Sequence, residues 1–209
     1  MIGVQRVSGY VSASMSYTRV MKNLRTWQLV GAGVVLIFFV QALVLWWFGQ
    51  PLTCLCGEIK LWEGVVASAG NSQQFMDWYT FSHVIHGILF FGLLSVLLPR
   101  VPVLYRLLLA LGLEVGWEIF ENTPWLINHY RQQALAVGYT GDSILNSVCD
   151  SISMLVGFVL AWRAPWWVSV GFVVLAEVFV GYMIHDGLAL NIINLIYPFE
   201  FIRVWQMGG

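Results

Sequence analysis

Residues 27–47 read WQLVGAGVVLIFFVQALVLWW, and no charged side chain occurs from Thr26 through Gly57. A helix needs about 20 mostly apolar residues to cross a bilayer core. This stretch meets that length, so the chain enters a membrane. It does not read as a cleaved signal. The basic region before it is long, and Gln50-Pro51-Leu52-Thr53 stands where a small-residue cleavage site would be.

Working outward, further apolar stretches follow. The second span is expected at about Thr80–Leu98, ending before Pro99, and the third at about Leu104–Phe120, closed by Asn122-Thr123-Pro124. The fourth is Ile144–Trp162, fenced by Asp142 and Arg163, and the fifth about Trp166–Ile184, followed by His185-Asp186-Gly187. The last apolar stretch, Leu188–Tyr197, is too short to cross alone. It reads as a re-entrant or interfacial segment, with a sixth span as the alternative. Composition agrees: of 209 residues, 59% are hydrophobic and 10% charged, where soluble domains carry roughly 25% charge. A water-soluble globule is excluded. The expected fold class is all-α: a polytopic bundle of about five spans, with residues 1–26 as a basic leader and 27–209 as one helical domain. No internal repeat or low-complexity linker divides it.

The formal net charge of −1 offers no basic surface for nucleic acid. The basic residues do set an orientation. Arg6, Arg19, Lys22 and Arg25 precede the first span, Arg100 and Arg106 flank the second connection, and Arg163 follows the fourth span. With five spans these share one side, while Lys60, Arg131 and Arg203 take the other. The positive-inside rule then makes the N-terminus cytoplasmic. The loops at 48–79 and 121–143 face outward. The leader either lies on anionic lipid or is left unanchored. Trp46, Trp47, Trp62, Trp78, Trp125, Trp166 and Trp167 fit interfacial belts.

Ionisable groups within a bilayer cost about 2.5–3.5 kcal/mol each on insertion scales, so each needs a reason. His83 and His86 are at i and i+3 on the second span, and Glu114, Glu118 and Glu121 share one face of the third. Asp142, Asn146 and Asp150 repeat at spacing four on the fourth, beside a stripe of Ser143, Ser147 and Ser151. Glu177 lies within the fifth, with His185 and Asp186 at its end. Helices two and four begin on the outer side, and helices three and five end there. His86, Glu118 and Asp150 therefore fall within roughly 10 Å of the outer interface. Four helices bring carboxylates and imidazoles to one layer, while the other half of the bundle is almost purely apolar.

Structural roles compete for several of these. Asp142 fits an N-cap of the fourth helix, Glu121 fits a solvated interfacial position, and His185-Asp186 fits a helix end at Gly187. Arg131 is a candidate counter-ion for the buried acids. Three cysteines are too few for a disulfide scaffold and lack paired CxxC spacing. The Cys54-x-Cys56 spacing is short for an unstrained mutual disulfide. Metal transfer or a bridge elsewhere are alternatives to two unused thiols, the plainer reading.

The strings Cys54-Leu-Cys56-Gly57, Leu61-Trp62-Glu-Gly64, Asn71-Ser72-Gln73, Asp77-Trp78-Tyr79, and Ser82-His83 through His86-Gly87 occur in that order. After them come Trp117-Glu118-Ile119-Phe120-Glu121-Asn122, Gly141-Asp142-Ser143 through Asn146-Ser147 to Asp150, and Leu190-Asn191-Ile192-Ile193. Over roughly residues 50–205 the chain resembles an uncharacterised family of bacterial inner-membrane proteins, classed as a domain of unknown function. That resemblance implies an inner-membrane location and no reaction. More loosely, the chain is similar to VanZ-like membrane proteins, whose His, Glu and Asp/Asn pattern would select His83 or His86, Glu118, and Asn146 with Asp150.

Carboxylates with imidazoles suit Zn²⁺, Mn²⁺ or iron. One expectation is a metal-dependent membrane enzyme with His83, His86, Glu118 and Asp150 as ligands and Glu114 or Glu177 as a buried base. Glu121, Asp142, Asn146, His185 and Asp186 would support the site. The substrate would be a lipid or lipid-linked headgroup, hydrolysed or transferred. No HExxH, Glu-x-x-His or serine-nucleophile motif accompanies these residues. The other expectation is a non-catalytic accessory or assembly subunit of a larger membrane complex, bound by membrane lipids and partner subunits. An ion-coupled transporter fits less well, because polar groups do not reach both sides.

Overall fold

The computed structural model describes residues 3–133, 135–136 and 138–208, with side chains described from Leu24 onward. Helices account for all the regular structure among these residues. In chain order they are α1 (Gly3–Trp47), α2 (Thr80–Leu97), α3 (Val103–Glu121), α4 (Pro124–Tyr130), α5 (Ile144–Arg163), α6 (Trp166–Ile184), α7 (Leu188–Ile196) and α8 (Glu200–Gln206). Four are long and apolar enough to cross a membrane: residues 24–47 of α1, and α2, α5 and α6. Helix α3 has 19 residues, but Arg106, Glu114, Glu118 and Glu121 give it as many charged residues as the 45-residue α1. One face packs against α1, α2 and α5, while Tyr105, Leu109, Leu113 and Phe120 are exposed. The side chains of Arg6, Arg19 and Lys22, on which the leader reading turns, lie outside the described residues.

Local chemistry fixes the boundaries. Pro99 stands just past Leu98, the C-cap of α2, where it cannot continue a helix. Pro102 and Pro165 precede α3 and α6 with their φ already set near helical values. Thr123 caps α4, accepting from Leu126 N with Pro124 in the first helical position. The cap of α5 is Ser143, whose hydroxyl accepts from Asn146 N at 3.1 Å. This corrects the expectation for Asp142: a residue nearer the helix takes the cap, and Asp142 is free to bond elsewhere.

Helices α2 and α5 make the closest crossing. A Cβ on Gly87 would overlap the Met154 carbonyl, and one on Gly157 would overlap the Val84 carbonyl. Only glycine allows backbones to touch in this way, as at small-residue interfaces of membrane helices. Beyond that crossing lies the apolar core of Leu94, Ala110, Leu111, Val115, Met154 and Phe158, with Val34, Ile37 and Phe38 of α1 packed on it. The polar residues lie on the opposite side of the crossing, at the starts of α2 and α5 and the end of α3.

The polar end is roofed by irregular chain. Ser143 N bonds Ser72 O, and Ile144 N and Leu145 N bond Pro51 O and Leu52 O, so the 48–79 loop is stitched to the start of α5. Within the loop, Glu63 lies below the usual carboxylate range. Burial works against this, but the Val65 N–H and the Lys60 ammonium outweigh it. Cys54 and Cys56 form a disulfide with a Cα–Cα distance of 5.2 Å. That corrects the reading of two unused thiols. Trp78 also departs from expectation. It is buried, its indole N–H donates to Gly64 O, and Trp62 stacks edge-on against it. The other six belt tryptophans are exposed. The C-terminal segment forms two short helices, α7 and α8, and neither is long enough to span.

Candidate functional site

The glycine crossing sets His83 and His86 of α2 against the third helix and the first turns of α5. His83 Nδ1 lies 2.6 Å from Glu114 Oε1, 3.2 Å from Glu118 Oε1, and its Nε2 is 3.9 Å from Asp150 Oδ2. His86 Nδ1 lies 3.0 Å from Glu114 Oε2. Glu114 and Glu118 are 0% and 1% exposed, so these carboxylates have left water almost completely. A buried carboxylate needs a cation, a proton or donors. Glu114 has two imidazoles. Glu118 Oε2 accepts from the Ser147 hydroxyl at 2.6 Å, but Glu118 Oε1 has no hydrogen-bond partner. With one N–H at Nδ1, His83 gives it to the nearer Glu114.

Two sets of side chains place ligand-capable atoms within 4.8 Å of one another: His83, His86 and Glu114, and His83, Glu118 and Glu121. Asp150 completes the surround, its other oxygen accepting from Thr80 Oγ1 at 3.2 Å. Thus His83 stands among Glu114, Glu118 and Asp150, and His86 joins it through Glu114. Glu114 sits among the ligands, paired to both histidines, and not apart from them as a free base. Asn146 is adjacent, with its amide donating to Gln74 O at 2.9 Å.

Beside these residues opens a cavity of about 720 Å³ lined by His83, His86, Trp117, Glu121, Asn146 and Asp150, and also by Tyr79, Tyr130, Tyr139, Asp142 and Asp186. Asp142 accepts from Asn122 Nδ2 at 2.7 Å and from the Tyr139 hydroxyl at 2.8 Å. Burial pushes its carboxyl up to about 6. Burial does the same to Asp186, also to about 6, although Tyr79 OH at 3.0 Å and Gln206 Nε2 at 3.1 Å donate to it. Glu121 is half-buried and bonded to Tyr130, so it is part of the wall and not a freely solvated group.

Three expectations fail on geometry. Glu177 is not brought to the cluster: its two oxygens accept from Leu188 N and Ala189 N at 2.9 and 3.0 Å, capping α7. His185 ends α6 in the left-handed conformation, φ 57°, with its ring against Trp205, and only its neighbour Asp186 reaches the cavity. Arg131 neutralises none of the acids; its Nε donates to Tyr139 O at 2.6 Å.

Sequence reasoning missed Gln41. Its amide donates to Ser147 O, Ser147 Oγ and Ser151 Oγ at 2.8–3.0 Å while its oxygen accepts from Ser151 Oγ at 3.2 Å. The signal was available, since Gln28 and Gln41 are the only amide side chains in the 27–47 stretch. The three tyrosines carried no such signal, because loop 121–143 and the start of α2 meet only in three dimensions.

Residues 45–208 match the family described as "Protein of unknown function (DUF2585)". The UPF0314 protein of Rhizobium johnstonii is 49% identical over 172 residues, 82% of this chain and 88% of that one. The UPF0314 protein of Sphingopyxis alaskensis is 44% identical over 185 residues, 88% and 97% of the two chains. That of Paracoccus denitrificans is 45% identical over 171 residues, 82% and 89%. The VanZ resemblance is not shown by these relatives, whose names mention none, and no solved structure matches the chain. The chain belongs to this family.

Proposed function

For this member of a family whose name assigns no reaction, we propose an integral inner-membrane protein, N-terminus cytoplasmic, that holds one divalent metal beside an outward-facing cavity and acts by hydrolysis or group transfer on a lipid-linked substrate. The observation that carries this reading is Glu118 Oε1, buried without a hydrogen bond and 3.2 Å from His83 Nδ1, beside a cavity open to substrate. A buried acceptor left short of a positive partner fits a metal ligand better than a finished ion pair.

His83, His86, Glu114 and Glu118 would hold the ion, with Asp150 beside it; this mixed imidazole and carboxylate set suits zinc, manganese or iron. Bound there, the metal would supply Lewis acidity to an acyl or phosphoryl oxygen. Ser147 orients Glu118 through Oε2, and Gln41 orients Ser147 in turn, a supporting layer of the kind metal ligands require. Glu121 lines the cavity beside His83 and is placed to take a proton from a nucleophile there. The ring of Asp142, Asp186 and their tyrosines governs entry.

The alternative is a non-catalytic accessory subunit of a larger membrane complex. It draws support from α1 and α6, whose apolar windows are each only 17% buried and leave room for partner helices. Elemental analysis of detergent-purified protein separates the two, run beside a His83→Ala/Glu118→Gln variant of equal folded yield. Stoichiometric metal that is lost in the variant supports the metal centre. Absence of metal from both transfers the function to the accessory role.

A further inference from the structure

We propose that Cys54 and Cys56 form a thiol–disulfide exchange centre, which takes two electrons from a dithiol substrate and passes them to a small-molecule disulfide. This goes beyond the metal site of the proposed function and shares with it only the outward orientation of the 48–79 loop. On that side of the membrane disulfides form and persist.

The bond closes a ring across a single intervening residue, Leu55. Cross-linking so short a segment removes little freedom from the unfolded chain, so fold stability is a poor account of the pair. The two sulfurs are also unequally accessible. Cys54 is 7% exposed, while Cys56 is exposed and lines the cavity. A thiolate arriving from outside meets Cys56 Sγ first.

Each sulfur faces an N–H donor. The Cys56 N–H donates to Cys54 Sγ at 3.2 Å, and the Gln74 amide donates to Cys56 Sγ at 3.4 Å. Gln74 is 1% exposed, and its oxygen accepts from Lys60 N at 2.7 Å, which fixes the amino end of the amide toward the sulfur. Disulfide sulfur is a weak acceptor and gains little from such donors. A thiolate gains a charge-assisted bond from each, so the surroundings lower the cost of opening the pair. A substrate thiolate attacks Cys56 Sγ, the Cys54–Cys56 bond breaks, and its electron pair leaves on Cys54 Sγ, where the Cys56 N–H receives it. The substrate's second thiolate attacks its own sulfur in the mixed disulfide and releases Cys56 as a thiolate. The substrate dithiol has then lost two electrons and two protons, and the cysteine pair, once protonated, holds both. The reverse sequence on a small disulfide restores the Cys54–Cys56 bond and releases two small thiols.

Full-length protein in detergent would be given a dithiol peptide and oxidised glutathione, with the rate of peptide disulfide formation as the readout. Wild type is expected to raise that rate at least tenfold over a Cys54→Ser/Cys56→Ser variant, in which Cys149 is retained. Single variants identify the attacked sulfur by intact mass. Cys54→Ser is expected to capture glutathione on Cys56 at least tenfold faster than Cys56→Ser captures it on Cys54. A measurement on wild type alone needs no variant to fold: dithiothreitol without denaturant should expose two further cysteines to alkylation. A pair that stays oxidised until denaturant is added overturns the proposal, as does a wild-type rate equal to that of the double variant, or equal capture by the two single variants. Exchange by wild type that carries no metal leaves this centre standing alone, and metal without exchange leaves only the metal site.

Discussion

Gln41 of α1 and Glu118 of α3 share no hydrogen bond, yet Ser147 joins them: Gln41 Nε2 donates to Ser147 Oγ at 2.8 Å, and Ser147 Oγ donates to Glu118 Oε2 at 2.6 Å. One lone pair of Glu118 is thereby fixed from the far side, and the other oxygen is turned to His83. The first helix reaches the site through this chain although it contributes no charged group.

Gln41→Leu is isosteric enough to keep α1 packed but removes the donor. Ser147 Oγ keeps its bond to Glu118 but loses the donor that orients it. Loss of a supporting partner of this type costs about 10–100-fold in metal affinity. Titration of metal into the chelated variant by calorimetry measures it; unchanged affinity in Gln41→Leu would show that the chain of bonds has no positioning role.

Gly157→Ala and Gly87→Ala each drive a methyl into the opposing backbone. Neither carbonyl can move without separating α2 from α5, so the loss should exceed the 1–3 kcal/mol of ordinary overpacking. Size-exclusion profiles in detergent should show little monodisperse protein. Gly92→Ala, in the same helix with nothing within 4 Å of the added methyl, should behave as wild type.

Glu177→Ala removes the side chain that caps α7 through Leu188 N and Ala189 N. A lost cap costs about 1 kcal/mol. A drop of a few degrees in melting temperature with metal content unchanged is expected. Glu118→Gln should do the reverse, keeping the melting temperature near wild type and losing the metal.

Asp142 is expected to give a measurable pH signature. Its folded carboxyl is raised from 3.8 to about 6 by burial, so between those values the folded state binds the proton that the unfolded state has released. Stability from this group is therefore present at low pH and declines as pH rises through that window. The span corresponds to at most about 3 kcal/mol. Thermal melts of wild type and Asp142→Asn between pH 4 and 7 should show the wild-type advantage shrinking with pH. A difference between the two that stays constant across this range would contradict the assignment.

The positions of the long helices were legible from hydropathy because period and length depend on the chain alone. Thr80, Ile144 and Trp166 each begin a helix where the apolar runs begin. The layer of His83, His86, Glu114, Glu118 and Asp150 was legible too, since topology dictates which helix ends share a depth. What did not follow was the use of each group. Glu177 looked as buried as Glu114, but the turn at Gly187 brings two free N–H groups to it, and that turn is set by tertiary packing. Asp142 lost the cap to Ser143 because only the folded loop supplies Asn122 and Tyr139 as better partners. The Tyr79–Asp186 pair spans 107 residues of sequence and left no periodic trace.

His83 belongs to both sets of ligand-capable residues, the one with His86 and Glu114 and the one with Glu118 and Glu121. The two sets therefore turn on a single imidazole, and a His83→Ala variant would take a ligand-capable group from both at once.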